Sequence, residues 1–231
     1  DCPEILKKTK SIVVFDHHRQ GSDVVENPIL SYIEPYASST CEMIAEVLQY
    51  YAENIRLTSC EADAIYAGML IDTNNFMQKT GVRTFEAAAY LRRCGAEINR
   101  VRKMLRNDMA DYKARAEVMR NAEVYKGAFA ISVCPADKVE SPTVVSAQSA
   151  NELLNIIGIK ASFVMTEYQN KIFISSRSID EINVQSIMER LGGGGHASIA
   201  GAQLSDCSVE EAKQKIRTIL DEMIEKGEIE K

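Results

Sequence analysis

The chain has 231 residues, of which 27 are basic and 33 acidic, so its formal net charge is −6. This length allows one large domain or two small ones with separate cores, and we expect two. The sequence has no basic run of the kind that follows long nucleic acid, which favours a small anionic ligand instead. No apolar run approaches the roughly 18 residues needed to span a bilayer, and no signal peptide opens the chain. Because the opening residues are not an initiator sequence, we expect a fragment of a longer protein.

Strand and helix patterns alternate in the first part of the chain. Residues 11–15 are nearly all apolar and rich in β-branched side chains, which predicts a strand buried on both faces, as in a parallel sheet. Hydroxyl side chains at residues 38–40, followed by Glu42, predict a helix start. The apolar run 61–71 is expected to be a second strand that ends at Asp72. A further helical pattern begins at Thr84 and stops near Gly95.

A polar helical stretch over about residues 98–121 predicts a bridge between two domains. Beyond it the patterns predict a strand at 129–134, a helix at 147–157, paired strands at 162–168 and 172–176 with a Gln-Asn turn, and helices at 184–191 and 209–224. The fold class is therefore α/β. We predict a parallel-sheet domain over residues 1–100, a helical linker over 101–122 and a smaller α/β domain over 123–231.

Cysteine spacing argues against a structural zinc site and against a disulfide framework. The residues are scattered without a C-x-x-C pair, so we expect free thiols in a reducing cytoplasm. They are Cys2, Cys41, Cys60, Cys94, Cys134 and Cys207.

All three histidines lie in two short motifs, Asp16-His17-His18 and the glycine run 192–195 that leads into His196. Ligands in open α/β sheets bind beyond the carboxyl ends of parallel strands, where the first motif and Asp72 are expected to lie. Carboxylates and imidazoles without thiolate suit Mn²⁺ best, with Mg²⁺, Fe²⁺ or Co²⁺ as alternatives. Taken alone, the first motif fits a capped loop with surface imidazoles as well as it fits a metal site. The presence of Asp72 as a further candidate ligand favours the metal site.

The second motif and nearby arginines predict a phosphate site. Four successive glycines allow backbone N–H groups to form an anion-accepting concavity, to which His196 adds a donor, although a glycine run is also typical of a flexible turn. The planar fork of Arg177 matches phosphate or carboxylate, but it also fits a solvated surface arginine. For Arg83 the surface interpretation is slightly favoured.

A metal site in one domain and a phosphate site in the other suggest phosphoester hydrolysis with two metal ions. Two ions need more protein ligands than His17, Asp72 and, at most, Asp16 provide. We therefore expect the remaining ligands upstream of Asp1.

Three segments together resemble the motifs of the DHH/DHHA1 phosphoesterases. Asp16-His17-His18 and the run 68–73 resemble the third and fourth DHH motifs, and residues 193–196 resemble the DHHA1 motif. The likeness covers essentially the whole chain, with the motifs in the family order. Within the superfamily, the segments 33–40, 81–88, 91–93 and 161–164 are most similar to the cyclic-di-AMP phosphodiesterases.

The resemblance implies a role for each motif residue. His17 and Asp72 would bind metal, with Asp72 reaching both ions. Asp16 would support the site as a catalytic residue, and His18 would face the scissile phosphate. The second domain would hold nucleotide phosphate through Arg177, Ser178, the backbone of Gly193, Gly194 and Gly195, and His196. The implied reaction is hydrolysis of cyclic-di-AMP to pApA by metal-activated water, with two Mn²⁺ ions as cofactor.

The sequence departs from the family pattern in one respect. The earlier family motifs, a His-x-x-x-Asp-x-Asp run and an aspartate at a strand end, have no counterpart before Asp16. We therefore expect an enzyme in the parent protein but poor metal binding and little hydrolysis in this polypeptide. Family members of this branch carry membrane helices ahead of the DHH domain, which implies a cytoplasmic portion of a membrane-anchored parent. An open sheet edge would favour a homodimer.

Other functions remain open. A nanoRNase or 3′-phosphoadenosine 5′-phosphate phosphatase would use the same metal chemistry on short linear substrates. A noncatalytic module would bind a dinucleotide through Arg177 and the glycine-histidine loop. RNA binding, as in appendages of alanyl-tRNA synthetases, is disfavoured by the acidic charge balance and leaves Asp16 and Asp72 without a role.

Overall fold

The computed structural model describes residues 3–9, 11–18, 24–51, 56–137, 139–179 and 181–230. The chain divides into two compact units, Asp1–Arg106 and Asn107–Lys231. Across the described ranges, no helix combines the length and the apolar character that crossing a bilayer requires.

The first unit combines a small parallel sheet with a group of helices. In chain order it contains a 3₁₀ helix (Pro3–Lys8), β1 (Val13–Asp16), β2 (Leu30–Ile33), α1 (Thr40–Tyr51), α2 (Ser59–Asp72), α3 (Val82–Arg93) and α4 (Ile98–Met104). β1 and β2 run parallel, with Asp16 opposite Ile33. The core of the unit lies among the helices and includes the fully buried residues Ala45, Met69, Leu91 and Val101.

Buried polar contacts join α1 to α3. The backbone N–H of Glu42 donates to Ser39 Oγ at 3.0 Å, which confirms the predicted helix start. The Glu42 carboxylate is buried and accepts from Ser38 Oγ at 2.5 Å and from Thr84 Oγ1 at 2.6 Å. Because each hydroxyl donates to this carboxylate, the two helix starts are held together.

Two predictions for the first unit were wrong. β1 is not buried on both faces, since Val13 is 55% exposed and only β2 pairs with β1 within the described residues. The run 61–71 is not a strand but most of α2. Reciprocal hydrogen bonds between Thr58 and Glu61 cap this helix, and a continuous apolar run does not by itself distinguish a buried strand from a buried helix.

The second unit is built on a six-stranded mixed sheet. It contains α5 (Met109–Arg120), β3 (Glu123–Tyr125), β4 (Phe129–Val133), α6 (Pro142–Leu153), β5 (Ala161–Tyr168), β6 (Lys171–Ser178), α7 (Val184–Glu189), β7 (Gly194–Gly195), β8 (Ile199–Ser205) and α8 (Val209–Glu225). The strand order is β3-β4-β5-β6-β8-β7, and the β4–β5 pair is parallel. The α/β fold class is thereby confirmed in both units.

Helices pack on both faces of this sheet. On one face, Phe163 and Ile174 share a core with Ile187 of α7 and Ile216 of α8. On the other face, α5 and α6 cover β4 and β5, and Val164 is fully buried among them. The residues of β6 that point to this second face, Phe173, Ser175 and Arg177, are only partly buried. This side of β6 carries Arg177, one of the candidate binding residues.

Most predicted elements of the second unit are present. The paired strands are joined at Gln169 and Asn170, whose φ values of 52° and 57° fit a type I′ turn. The predicted helix at 147–157 instead spans Pro142–Leu153, and Pro142 suits a first helical turn. Segment 101–122 contains the end of α4 and all of α5, and Arg115 of α5 pairs with Glu152 of α6 at 2.8 Å.

Cysteines within the described ranges are free thiols, as predicted, and Cys2 lies outside those ranges. The free thiols are Cys41, Cys60, Cys94, Cys134 and Cys207.

Candidate functional site

The Asp-His-His motif begins at the last residue of β1. Asp16 Oδ1 accepts from the backbone N–H of His18 at 3.0 Å and lies 2.7 Å from His18 Nδ1. The backbone N–H of His18 is the main reason that the pKa of Asp16 is lowered. Asp16 therefore fixes the His18 ring, and the ring of His17, whose side chain is 10% exposed, lies against it with 4.3 Å between centroids.

His17 and Asp72 come together from different elements. His17 Nε2 lies 3.9 Å from Asp72 Oδ2, which is too long for a hydrogen bond. Two donor atoms bound to one divalent ion at about 2.1 Å each are separated by no more than about 4.2 Å, so the pair fits within the span of a shared ion. The nitrogen and oxygen donors also suit Mn²⁺ or a similar ion.

A tight turn after α2 positions Asp72, the last residue of that helix. Thr73 is fully buried, and its Oγ1 donates to Met69 O at 2.6 Å and accepts from the backbone N–H of Phe76 at 3.0 Å. Asn74, Asn75 and Phe76 all have positive φ values, of 47°, 59° and 64°. The sequence prediction gave Thr73 no role of its own, although a hydroxyl residue followed by two asparagines is typical of such a turn.

The candidate metal ligands within the described residues do not form a larger cluster. No group of three or more His, Cys, Asp or Glu side chains that could hold an ion occurs among them. His17 and Asp72 are thus a pair of candidate ligands rather than a full coordination shell.

Arg177 is a partly buried cation without an acidic partner in the part of the chain that the structure describes. Its Nη1 donates to the carbonyl of Ser176 at 2.8 Å, and its Nε is buried without a hydrogen-bond partner. Burial lowers the pKa of the guanidinium. Since a buried charge normally has a partner, Arg177 is suited to an anionic ligand.

Two other polar residues that the sequence singled out are used within the fold. The Ser178 hydroxyl is buried and donates to Ile182 O at 2.6 Å, which stabilises the turn after β6. Arg83 donates to both carboxylate oxygens of Glu46, at 2.7 and 2.6 Å, and this pairing raises the pKa of Arg83. Arg83 is therefore a structural residue.

Three N–H groups in and next to the glycine loop already have partners within the fold. The N–H groups of Gly192 and Gly193 donate to Glu189 O at 3.0 Å and Met188 O at 2.9 Å, the Schellman arrangement that ends a helix. The N–H of His196 donates to Ile199 O at 2.7 Å. These donors are occupied because the loop caps α7 and then pairs with β8.

Two of the glycines permit close packing of the loop on β8. A Cβ atom on Gly193 would lie 2.1 Å from Gly201 O. On Gly195, where φ is 145°, it would lie 2.5 Å from Ala200 Cα. A Cβ on Gly194 would meet nothing within 4 Å. Backbone contact thus requires glycine at two positions, Gly193 and Gly195, whereas Gly192 and Gly194 face open space.

The strand register places the predicted phosphate-binding side chains in one row. Arg177 is opposite Ile199, and Ile199 exchanges backbone hydrogen bonds with His196. Directly opposite residues of an antiparallel pair point to the same face, so Arg177 and His196 share a face at a spacing of about 10 Å across two strand intervals. The His196 side chain is exposed.

A depression of about 380 Å³ adjoins this row. Its floor is bare because two of the three residues in the next row, Ser175, Gly201 and Gly194, lack side chains. Phe173, Gln203 and Thr143 of α6 also line it. The second unit therefore carries a shallow pocket beside an unpaired guanidinium and an exposed imidazole.

Comparison with known proteins agrees with the two-unit division. The DHH family, N-terminal domain, matches residues 2–69, and the DHHA1 domain matches residues 127–226. Together these matches cover well over half of the chain.

Two curated relatives are similar over almost the whole chain. The cyclic-di-AMP phosphodiesterase GdpP of Geobacillus thermodenitrificans is 44% identical over 224 residues, which is 96% of this chain and 34% of the relative. The cyclic-di-AMP phosphodiesterase PdeA of Listeria monocytogenes is 42% identical over 219 residues, 94% of this chain and 33% of the relative. The chain spans about one third of the length of these relatives.

A solved structure supports the fold. The crystal structure of an exopolyphosphatase-related protein from Bacteroides fragilis matches with a TM-score of 0.79 and 21% identity, over 91% of this chain and 63% of that chain. With its DHH domain followed by a DHHA1 domain, the chain belongs to the DHH/DHHA1 family of phosphoesterases.

Proposed function

We propose that the chain is the DHH/DHHA1 part of a phosphodiesterase that hydrolyses cyclic-di-AMP to pApA with Mn²⁺. The observation that carries the proposal is the convergence of His17 and Asp72, whose donor atoms are 3.9 Å apart although His17 follows β1 and Asp72 ends α2. The similarity to two cyclic-di-AMP phosphodiesterases supports the choice of substrate.

His17 and Asp72 would hold the ion, and Asp16 would keep His18 in place beside the reacting phosphate. When bound, Mn²⁺ supplies activation of a water nucleophile and stabilisation of the leaving oxygen. The Nδ1 of His18 lies 2.7 Å from the Asp16 carboxylate, which leaves the Nε2 of His18 to face a phosphate oxygen. In this proposal Asp16 orients the His18 ring and His18 contacts the phosphate. His17 and Asp72 are the metal ligands.

The second unit would bind the nucleotide phosphate. Arg177 offers a guanidinium with no acidic partner among the described residues, and His196 adds an exposed imidazole in the same row. Gly193 and Gly195 let the loop approach β8, and Gly194 leaves room for a ligand. Ser178 supports the end of β6, so its contribution to binding would be indirect.

Metal binding tests the first half of the proposal. We expect Asp72→Asn to weaken Mn²⁺ binding at least about tenfold in a titration followed by electron paramagnetic resonance, because an amide oxygen without negative charge replaces one of the two described ligands. Glu86→Gln is a matched control, since Glu86 is an exposed carboxylate on α3 of the same unit. Equal Mn²⁺ affinity in wild type and Asp72→Asn would refute the metal assignment.

Substrate comparison tests the second half. Rates on cyclic-di-AMP, pApA and 3′-phosphoadenosine 5′-phosphate should be measured in an N-terminally extended chain, with residues 1–231 alone in parallel. We expect the extended chain to prefer cyclic-di-AMP and residues 1–231 to turn over little, because two described donors hold an ion weakly. Faster hydrolysis of either linear substrate would favour the nanoRNase or phosphatase alternative.

A further inference from the structure

We propose that Phe173 and Gln203 bind the nucleobase and select adenine over guanine. The inference rests on the proposed function and adds to it the residues that recognise the base. It starts from the depression on the sheet face of the second unit, which the phosphate-binding residues do not fill.

The two residues face each other across neighbouring strands. Phe173 of β6 is directly opposite Gln203 of β8, so their side chains point to the same face of the sheet. Both line the depression of about 380 Å³. The row of Phe173 and Gln203 bounds one side of the bare floor, and the row of Arg177 and His196 bounds the other.

The separation of the rows suits one nucleotide. Phe173 and Arg177 lie four residues apart on β6, which corresponds to roughly 13 Å along the strand. Both side chains point to the same face because their positions differ by an even number. A phosphate held by Arg177 would leave its sugar over Ser175, Gly194 and Gly201 and its base beside Phe173.

Phe173 provides a surface for stacking. Its ring is partly buried and packs against Tyr168, with 6.3 Å between ring centroids and a 54° tilt. A ring supported in this way keeps its position when a base contacts it, and every base has a face that can stack. Phe173 therefore accounts for affinity but not for a choice between bases.

Gln203 distinguishes adenine from guanine. Its side chain is exposed and makes no hydrogen bond to any residue that the structure describes, so both its amide oxygen and its amide nitrogen are available. Adenine presents the N6 donor beside the N7 acceptor, which matches this pair of groups. Guanine presents O6 and N7, which are both acceptors, so only one hydrogen bond of the pair forms.

The test measures the affinity of metal-free residues 1–231 for cyclic-di-AMP and cyclic-di-GMP by calorimetry. We expect wild type to prefer cyclic-di-AMP about tenfold or more, and Gln203→Ala to weaken cyclic-di-AMP binding more than cyclic-di-GMP binding, because adenine loses two hydrogen bonds and guanine one, so that the preference falls. Phe173→Leu should weaken both ligands to a similar extent. Gln214→Ala, which changes an exposed glutamine on α8, is the control and should have no effect.

An atomic substitution in the ligand sharpens the test. Cyclic-di-AMP in which adenine N7 is replaced by CH should bind wild type more weakly, but it should bind Gln203→Ala as well as cyclic-di-AMP does, because the N7 contact is already lost. If Gln203→Ala keeps the wild-type preference while Arg177→Lys still weakens both ligands, the base assignment is wrong and the proposed function stands. If wild type binds neither ligand, the phosphate site and the base assignment both fail.

Discussion

The glycine loop allows a graded prediction, because its four glycines meet different surroundings. Alanine is the smallest side chain that adds a Cβ atom, so Gly→Ala at each position measures the space and the backbone conformation alone. At Gly193 the new Cβ would lie 2.1 Å from Gly201 O and 2.7 Å from the Cα and Cβ of Ala202. Because Gly201 is itself paired with Ser175 of β6, these atoms cannot move without disturbing the sheet.

The expected costs follow from these contacts. Gly193→Ala should destabilise the protein by about 3 kcal/mol, the upper part of the range for overpacked sites. Gly192→Ala should cost about 1 kcal/mol, because its φ is +76° although nothing lies within 4 Å. Gly194→Ala meets neither obstacle and should stay within about 0.5 kcal/mol of wild type.

Thermal unfolding followed by circular dichroism checks the series. For a chain of this size 1 kcal/mol corresponds to roughly 2–4 °C, so we expect Gly193→Ala to lower the melting temperature by roughly 6–12 °C and Gly194→Ala to leave it nearly unchanged. Equal, small shifts at Gly193 and Gly194 would refute the close-packing argument. They would favour a flexible turn, in which no single glycine is required.

Two further predictions concern titratable groups away from the site. Hydrogen bonds from Arg100 and from the Glu97 N–H lower the pKa of Asp63, so its stabilising effect is present above the ordinary pKa of about 3.9 and is lost as the pH falls through the lowered value. Asp63→Asn should therefore be less stable than wild type at pH 7, and urea unfolding should show the difference shrinking below about pH 4; a constant difference would contradict this. Burial raises the pKa of Cys134 to about 11, so mass-spectrometric mapping should find Cys134 alkylated far more slowly than the exposed Cys60, and equal rates would contradict the burial.

The sequence predicted best those elements whose local pattern agrees with their packing. The strands on either side of Gln169 and Asn170 have alternating apolar residues, and the two turn residues accept positive φ. The strand pattern and the turn sequence therefore predict the same hairpin. The run 61–71 was harder to assign to a helix or a strand, because an apolar run alone does not reveal which elements pack against it. The capping pair of Thr58 and Glu61 was available as a helix indicator.

The candidate site was predicted in part. The convergence of His17 and Asp72 was expected even though Asp72 was assigned to the wrong type of element, because the last residue of a strand and of a helix can reach the same place. The occupied N–H groups of Gly193 and His196 could not be predicted, since they depend on pairing with Met188 and Ile199. The hydrogen bonds of a loop depend on the elements that pack against it, and these cannot be inferred from the composition of the loop.

The assignment of Asp72 to a helix rather than a strand changes the electrostatics of the proposed metal site. The aligned peptide dipoles of an α-helix place a partial negative charge at its C-terminus, and strands provide almost none. α2 has 14 residues and ends at Asp72, so its last carbonyl groups lie beside the carboxylate. A cation bound there would interact with the helix terminus as well as with Asp72. The helix thus offers a cation an attraction that the expected strand end would have lacked.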